Sequence, residues 1–279
     1  MRIFNLIENT EGREGCEYAH GLSFYIETKK HKLLMDVGPS EVTLRNARRM
    51  GIDLSQVDSL ILSHGHYDHS GGILPFCQVN PRAKIYMQKK ATGPYYADDG
   101  AMAEGDRYRY IGIDPEIAGL AQVEFLEGDA ELDSELSLFT MKERTHDLPS
   151  SNARLLIRQG EDFVRDDFAH EQYLRIVEDD RAVLISGCAH NGILSILDQY
   201  KEKYGDYPDL VISGFHLMKK RDYRENEIKE VEEIARELKN YPCQFVTCHC
   251  TGLPAYEIMK NILGKRLNYV HSGDEIIRD

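Results

Sequence analysis

The chain has 279 residues, of which 42% are hydrophobic and 29% are charged, so it can bury a sizeable core and is not intrinsically disordered. Its formal net charge of -13 disfavours nucleic acid and anionic membranes as partners. No apolar run has the length of a membrane span, and the N-terminus lacks the features of a signal peptide. The six cysteines do not have the pattern of a disulfide framework. We therefore expect a cytoplasmic protein with reduced cysteines.

Short apolar or alternating runs bounded by turn residues predict a strand-rich first part of the chain. A helix is predicted over Glu41–Met50, where the spacing is helical and Gly51 is suited to end it, and a short helix over Ile73–Cys77. The predicted strands are Arg2–Ile7, Leu22–Thr28, Lys32–Val37, Ser59–Leu62, Ala83–Met87, Val123–Leu126, Leu136–Met141, Arg154–Arg158, Tyr173–Glu178 and Ala182–Ser186.

From Asn191 onward, predicted helices and strands alternate. The helices are Gly192–Tyr204, Arg224–Lys239 and Pro254–Leu263, and the strands are Asp209–Ser213, Gln244–Thr247 and two short strands at the C-terminus. Strand-rich halves that are each flanked by helices fit an α/β fold of two sheets packed face to face with helices outside, a four-layer αββα sandwich. We expect this fold to form one domain over residues 1–279.

The segment at about 81–120 has little periodicity and interleaves tyrosines with arginines, as in Asp106–Tyr110. Long irregular segments in compact domains are often lids or binding loops. These side chains would suit an aromatic or anionic small molecule through stacking and bidentate contacts. A solvated loop, a cover for the core or an oligomer contact fits the same residues.

The stretch His64-Gly65-His66-Tyr67-Asp68-His69 directly follows an apolar strand. It holds three of the 11 histidines of the chain together with a carboxylate. Imidazole is a preferred ligand of zinc and related transition metals, and a carboxylate adds a harder donor. Four donors are more than one ion usually takes from one segment, so we expect two adjacent ions. The alternative, a polar surface loop that happens to be rich in histidine, is disfavoured by the position at a strand end.

This H-x-H-x-D-H pattern resembles the signature of the metallo-β-lactamase superfamily, and the whole chain can be laid onto the αββα fold of that superfamily. The segment Asp36-Val37-Gly38 resembles the D-x-G turn that supports the metal loop. Three further segments resemble the branch known as 7,8-dihydropterin-6-methyl-4-(β-D-ribofuranosyl)aminobenzene-5′-phosphate synthase-like, which includes a proposed pterin-forming enzyme of methanopterin synthesis. They are Gly187-Cys188-Ala189-His190, Gly214-Phe215-His216-Leu217 and His249-Cys250-Thr251-Gly252.

The resemblance implies a third histidine for the first metal, a bridging acid or its substitute, and a last histidine for the second metal. His170 stands where the third histidine is expected, although it also fits an ordinary polar residue before a strand. After strand Ala182–Ser186 the family usually has Gly-Asp, but this chain has Cys188 and His190. We expect His190 to be the ligand, and a Cys188 thiolate is the alternative.

His249 follows strand Gln244–Thr247 and fits the last ligand position. A separate cysteine-rich zinc site at Cys248 and Cys250 is disfavoured because a second ligand pair is missing. His216 should lie near the same rim, where it would contact substrate or cap the loop. The predicted metal ligands are therefore His64, His66, Asp68, His69, His170, His190 and His249, and the predicted substrate contact is His216.

The ligand set predicts a dinuclear metal-dependent hydrolase that uses a metal-bound hydroxide on a small phosphoester, ester or similar substrate. Zinc is the preferred ion, and manganese or iron also fits the donors. Asp68 would bind the second ion and orient the attacking water. One alternative is a transferase that joins a pterin methyl-diphosphate to an aminobenzoate-type amine, like dihydropteroate synthase. Another is a metabolite-binding sensor without turnover, which the intact motif disfavours.

Overall fold

A computed structural model of the chain describes residues 1–101 and 105–277, and in these residues it has three sheets, six α-helices and several short 3₁₀-helices. The helices are α1 (Val42–Arg49), α2 (Tyr67–Ser70), α3 (Ile73–Val79), α4 (Ile193–Tyr204), α5 (Glu225–Leu238) and α6 (Leu253–Leu263). The strands are β1 (Arg2–Ile7), β2 (Ser23–Glu27), β3 (Lys32–Met35), β4 (Ser59–Ile61), β5 (Lys84–Gln88), β6 (Tyr95–Asp98), β7 (Tyr108–Tyr110), β8 (Val123–Leu126), β9 (Ala130–Glu131), β10 (Leu136–Thr140), β11 (Leu155–Gln159), β12 (Asp162–Arg165), β13 (Gln172–Glu178), β14 (Arg181–Ser186), β15 (Leu210–Ser213), β16 (Gln244–Thr247), β17 (Leu267–Tyr269) and β18 (Glu275–Ile277).

Two seven-stranded mixed sheets form the centre of the molecule. The first has the strand order β18-β1-β2-β3-β4-β5-β8, and the second has the order β17-β16-β15-β14-β13-β10-β9. Helices α1 and α3 cover the outer face of the first sheet, and α4, α5 and α6 cover the outer face of the second. The predicted αββα sandwich is therefore confirmed. None of the helices in the described ranges is long and apolar enough to cross a membrane.

Alternation along the strands divides the apolar side chains among the layers. In β14, Val183 and Ile185 face the first sheet, whereas Leu184 between them packs under the helices of the second sheet. The same division holds in β13, where Leu174 lies between the sheets and Tyr173 faces the helices. Each central strand is thus buried on both faces, which fixes its register and the level at which it ends.

The segment 81–120 is more regular than its sequence indicates. Strands β6 and β7 pair with each other, and β6 also pairs with β11 in a small sheet of order β12-β11-β6-β7. Aromatic rings cover this sheet, and Tyr108 stacks on Phe163 with ring centroids 4.1 Å apart. The partner strands come from residues 155–165, so no local periodicity in 81–120 could indicate them. Residues 102–104 of the segment lie outside the described residues.

The loop that carries the histidine motif packs tightly against the turn after β3. A Cβ atom added to Gly72 would lie 2.3 Å from the carbonyl oxygen of Val37 and 2.8 Å from a methyl group of the same residue. No real Cβ approaches backbone this closely, so a side chain at position 72 would push the two loops apart. The close contact explains why glycine follows the motif.

We expect Gly72→Ala to lower the free energy of unfolding by about 1–3 kcal/mol, since an overpacked contact must be relieved by moving backbone. Urea unfolding of the metal-free protein measures this change. Gly119→Ala is the matched control, because Gly119 is exposed and an added Cβ would meet nothing within 4 Å. Equal stability of the two variants would contradict the tight packing of these loops.

Candidate metal centre

Three parallel strands of the second sheet end level with one another, and each is followed by a histidine. The register aligns the last residues of β14, β15 and β16. His190, His216 and His249 follow these strands within four residues. The backbone bends through left-handed conformations here, with φ of 54° at Ala189, 48° at His216 and 49° at His249. These turns bring residues from three strand ends to one edge of the sandwich.

The first sheet supplies the other half of the site through Asp36, which follows β3 in a left-handed conformation with φ of 61°. Its Oδ1 accepts from the backbone N–H of Ser63 at 2.7 Å. Its Oδ2 accepts from the Ser63 hydroxyl at 2.7 Å and from Nδ1 of His69 at 2.6 Å. The Ser63 oxygen in turn lies 2.8 Å from Nδ1 of His64. One buried carboxylate therefore orients both ends of the histidine motif.

Two further imidazoles are held in the same way by amide oxygens. Nδ1 of His190 lies 3.0 Å from Oδ1 of Asn152. Nδ1 of His249 lies 2.8 Å from Oδ1 of Asn9. An acceptor at Nδ1 places the proton there and leaves the lone pair on Nε2. Each of these imidazoles therefore presents an unprotonated Nε2.

Nε2 of His64 and Nε2 of His190 form a first group of possible metal donors together with His66. Nε2 of His64 lies 3.3 Å from Nε2 of His190. Donor atoms of His64, His66 and His190 all lie within 4.8 Å of one another. Nε2 of His66 is buried without a hydrogen-bond partner among the described residues. Three buried imidazoles that face one point fit a transition-metal ion, which takes such nitrogens as ligands.

A second group forms around Asp68. Its Oδ2 lies 3.4 Å from Nε2 of His249 and 3.9 Å from Nε2 of His69. His20 also reaches it, with Nε2 at 3.3 Å from the same oxygen, although the side chain of His20 is half exposed. A carboxylate with two buried imidazoles is a second set of metal donors beside the first.

The electrostatics of the site favour neutral imidazoles in the first group. Burial and, next, the neighbouring His170 together lower the pKa of His66 to about 3. Burial and the surrounding imidazoles also hold the pKa of His64 and His190 well below the ordinary value. Burial opposes a charge on His69 as well, but Asp36 and Asp68 outweigh it and raise the pKa of His69 to about 9. Neutral imidazoles are the form that binds metal, so the first group is ready for a cation at neutral pH.

His170 does not occupy the place predicted for it. Its Nδ1 accepts from the backbone N–H of Gly65 at 3.0 Å, and its Nε2 lies 3.0 Å from the carboxylate of Asp166. Both ring nitrogens thus have protein partners, and neither is left for a metal ion. His170 instead supports the loop between His64 and His66 from behind.

His190 takes the place expected of His170, beside His64 and His66, and not the bridging position predicted for it. The ring is fixed there because it stacks on Phe168, with centroids 4.8 Å apart and planes inclined by 4°. The backbone N–H of His190 also donates to Glu171 at 2.7 Å. The side chain that lies between the two groups is that of Cys188, whose Sγ is 3.2 Å from Nε2 of His69.

His216 lies on the rim of the site, and its predicted contact with substrate stays a prediction. Its ring centroid is 4.1 Å from that of His190, and its Nδ1 is buried without a hydrogen-bond partner among the described residues. Sequence reasoning missed His20, Asn9 and Asn152, which come from distant loops and carry no motif. The sequence did indicate that three strand ends meet at the site, because each of the three predicted strands is followed by a histidine.

A cavity of about 670 Å³ opens over the two groups of donors. Five basic and two acidic side chains line it, which is a local excess of positive charge in a chain of net charge -13. The basic residues are Arg109, Arg154, Lys219, Lys220 and Arg221. A larger surface groove of about 870 Å³ lies at other residues and has no histidine in its lining.

Comparison with known proteins agrees with this architecture. The family model of the metallo-beta-lactamase superfamily matches residues 19–149. An uncharacterized protein of Methanocaldococcus jannaschii, MJ0448, is 28% identical over 90% of this chain and 90% of its own length. The 7,8-dihydropterin-6-methyl-4-(beta-D-ribofuranosyl)-aminobenzene-5′-phosphate synthase of that organism is 27% identical over 98% of this chain and 95% of its own. The crystal structure of Tm1679, a metal-dependent hydrolase of the beta-lactamase superfamily, has a TM-score of 0.81 and 28% identity, and the match covers 100% of this chain and 99% of the other.

The exchange of places between His170 and His190 can be tested by metal content. We expect His190→Ala to lose about one equivalent of bound metal, because it removes one of three facing imidazoles. His170→Asn should retain the metal of the wild type, since the ring of His170 faces protein on both nitrogens. Elemental analysis after gel filtration measures both variants. Metal loss in His170→Asn with full retention in His190→Ala would contradict the assignment.

Proposed function

We propose that this chain, which shares the metallo-beta-lactamase fold and matches the family model of that superfamily over residues 19–149, is a metal-dependent hydrolase of a small, negatively charged substrate. The observation that carries the proposal is the common orientation of four imidazoles, each of which is held at Nδ1 and presents Nε2 to one space. The four are His64, His69, His190 and His249. Nitrogen atoms that converge in this way are the donors that a transition-metal ion takes, and the proton that the raised pKa of His69 keeps on its ring would be displaced on binding.

Two divalent transition-metal ions would be held at this site, one by His64, His66 and His190 and the other by Asp68, His69 and His249. Zinc fits the nitrogen-rich donors best, and manganese or iron also fits. When bound, such ions lower the pKa of a water molecule and polarise the oxygen of the bond to be cleaved.

Asp68 would orient water in this reaction. Burial disfavours the charged carboxylate, but His69 and His249 outweigh burial and hold the pKa of Asp68 well below its usual range. A carboxylate is a strong hydrogen-bond acceptor, so Asp68 would orient the attacking water and accept its hydrogen bond.

The charge of the cavity supports an anionic substrate. Asp99 pairs with Arg109 and Arg154, and Glu227 pairs with Arg221 at 2.7 Å. Lys220 also lines the cavity, and it acts on the charge of Asp99 without being among the ion pairs of the described residues. We therefore expect Lys220 to be free to bind a negative charge of the substrate. A phosphoester or a carboxylated ester fits both this rim and the donors beneath it.

We expect Asp68→Asn to lower kcat for an aryl phosphodiester or ester by at least about a hundredfold, since it removes the acceptor for the attacking water and weakens one set of donors. Steady-state kinetics and metal analysis are measured together. Asp206→Asn serves as control, because Asp206 is 92% exposed on the surface. A near-normal rate in Asp68→Asn with full metal content would contradict the mechanism.

We expect Lys220→Ala to raise KM for a phosphorylated substrate about tenfold with little change in kcat, because a charge-assisted contact of roughly 1.5 kcal/mol is lost. The effect should shrink as ionic strength rises. Lys30→Ala is the control for loss of a lysine elsewhere, since Lys30 contacts Ser134 and pairs with Glu135 outside the cavity. An unchanged KM in Lys220→Ala would contradict the proposal that the basic residues at the rim of the cavity bind the substrate.

A second candidate function follows from the relative named as a synthase, which matches this chain over nearly its whole length. For this chain the alternative is a transferase that would join a pterin methyl-diphosphate to an aminobenzoate-type amine, with the cationic rim holding the diphosphate. The two functions differ in what is released. Pyrophosphate released from a pterin diphosphate only when an arylamine is present would favour the transferase, whereas phosphoester or ester hydrolysis without an amine would favour the hydrolase.

A further inference from the structure

A side cavity of about 600 Å³ lies beside the central cavity that opens over the two groups of donors. It is lined by residues from 88–90, 126–128, 140–141 and 168–171, where β5, β8 and β10 end and β13 begins. The side cavity and the central cavity have no lining residue in common. Its volume lies in the range of about 300–1,000 Å³ that is usual for sites of small molecules.

Apolar side chains supply the floor of the side cavity. They are Leu126, Met141, Phe168 and Ala169. Leu126, Met141 and Ala169 are only partly buried in the protein, so a bound apolar group would cover surface that now faces water. Removal of such surface from water favours binding.

The buried polar groups of the lining already have partners within the protein. The side-chain amide of Gln88 donates to the carbonyl of Gly128 at 2.9 Å and accepts from the N–H of the same residue at 2.9 Å. The carboxylate of Glu171 accepts from the hydroxyl of Tyr173 and from the N–H of His190, both at 2.7 Å. A ligand therefore needs no polar group for the floor of the side cavity.

Charge is found at the mouth of the side cavity. Lys89 and Lys90 follow β5, and both are exposed. Lys89 pairs with Glu127 at 2.8 Å, but these two side chains are 67% and 72% exposed. An ion pair this exposed contributes little to stability, so Lys89 can exchange its partner for another anion. Two lysines and one glutamate leave a local excess of one positive charge at the mouth.

We propose that the side cavity is a binding site of its own for a small molecule with an apolar body and one negative charge. The apolar body would lie on Met141, Phe168 and Ala169, and the charge would face Lys89 and Lys90. Binding of this kind needs neither a metal ion nor the donors of the central cavity.

The wall between the two cavities gives the side cavity a way to act on the candidate metal centre. Phe168 lines the side cavity and stacks on His190, which lines the central one. The backbone of Phe168 is left-handed, with φ of 54°, and its N–H is held by Asp166 at 2.7 Å. Strain of this kind in a bulky residue is often found at ligand clamps and switches. A ligand that touches Phe168 and Glu171 contacts both residues that hold His190 in place.

The coupling has a defined sign. The side cavity is formed in the arrangement in which His190 faces His64. A ligand that binds this arrangement favours it, so ligand and metal should strengthen each other's binding by the same factor. This consequence rests on the proposed metal-dependent function, whereas the binding site itself does not.

Two fluorescent probes with the same apolar body test the site. Anilinonaphthalene sulfonate carries one negative charge, and phenylnaphthylamine is uncharged. We expect the sulfonate to bind the native wild type at one saturable site and at least about fivefold more tightly than the uncharged probe. Lys90→Glu should weaken binding of the sulfonate by at least about fivefold. Lys265→Glu is the matched control, because Lys265 is exposed and lines neither cavity.

Lys220→Ala separates the two cavities, because Lys220 lines the central one. We expect this variant to bind the sulfonate like the wild type. Weaker binding in Lys220→Ala with unchanged binding in Lys90→Glu would locate the probe in the central cavity and overturn the proposal. Equal affinity of the two probes, or the lack of a saturable site, would overturn it as well.

The wild type alone provides a further test. A crystal structure with anilinonaphthalene sulfonate should show its rings against Met141 and Phe168, and rings at any other place would overturn the proposal. Zinc titrated with and without the probe then measures the coupling, and we expect the probe to raise the affinity for zinc. Unchanged zinc affinity would overturn the coupling to His190. A protein that binds the probe but no zinc would contradict the proposed function and support the separate site.

Discussion

The buried carboxylate of Asp36 is the contact on which the candidate site depends. It is fully buried, and it accepts three hydrogen bonds, two from Ser63 and one from His69. A buried carboxylate is stable only when its oxygens are satisfied in this way. Because its donors belong to the two ends of the histidine loop, the same bonds that stabilise Asp36 also set the direction of His64 and His69. Loss of this one group would release the imidazoles of His64 and His69 at once.

The two sheets contribute to the site in different ways. The first sheet supplies one continuous loop, in which the donors are close in sequence. The second supplies single histidines from the ends of parallel strands, which are close only because the register of β14, β15 and β16 makes those strands end together. The cavity lies over the junction of the two, and its basic rim gives it a charge opposite to that of the whole chain. Bound divalent ions would strengthen this local field.

The fold class could be predicted from the sequence, and so could the position of the histidine motif at a strand end, because strands, helices and the motif have local patterns. His170 and His190 show where local pattern is insufficient. One precedes β13 and the other follows β14, so both lie at the same edge of the second sheet. Which of them faces the donors depends on contacts to Gly65, Asp166 and Asn152, and none of these is visible in local spacing.

Other features lay beyond prediction for the same reason. Asn9 and Asn152 hold imidazoles from loops far away in the sequence, and their role depends on a single amide oxygen each. The small sheet formed by β6, β7, β11 and β12 joins two segments of the chain. In the sequence, the first segment has no clear periodicity and the second indicates only one strand. The prediction that these residues form a substrate loop stays a prediction.

The most direct test of the account is a crystal structure of the protein as purified, with anomalous scattering recorded at the absorption edge of each transition metal found in it. The account predicts two anomalous peaks. One should be bounded by His64, His66 and His190, and the other by Asp68, His69 and His249, with metal–nitrogen distances of about 2.0–2.1 Å. A metal-loaded protein with no peak at this edge of the sandwich, or with peaks at other residues, would contradict it.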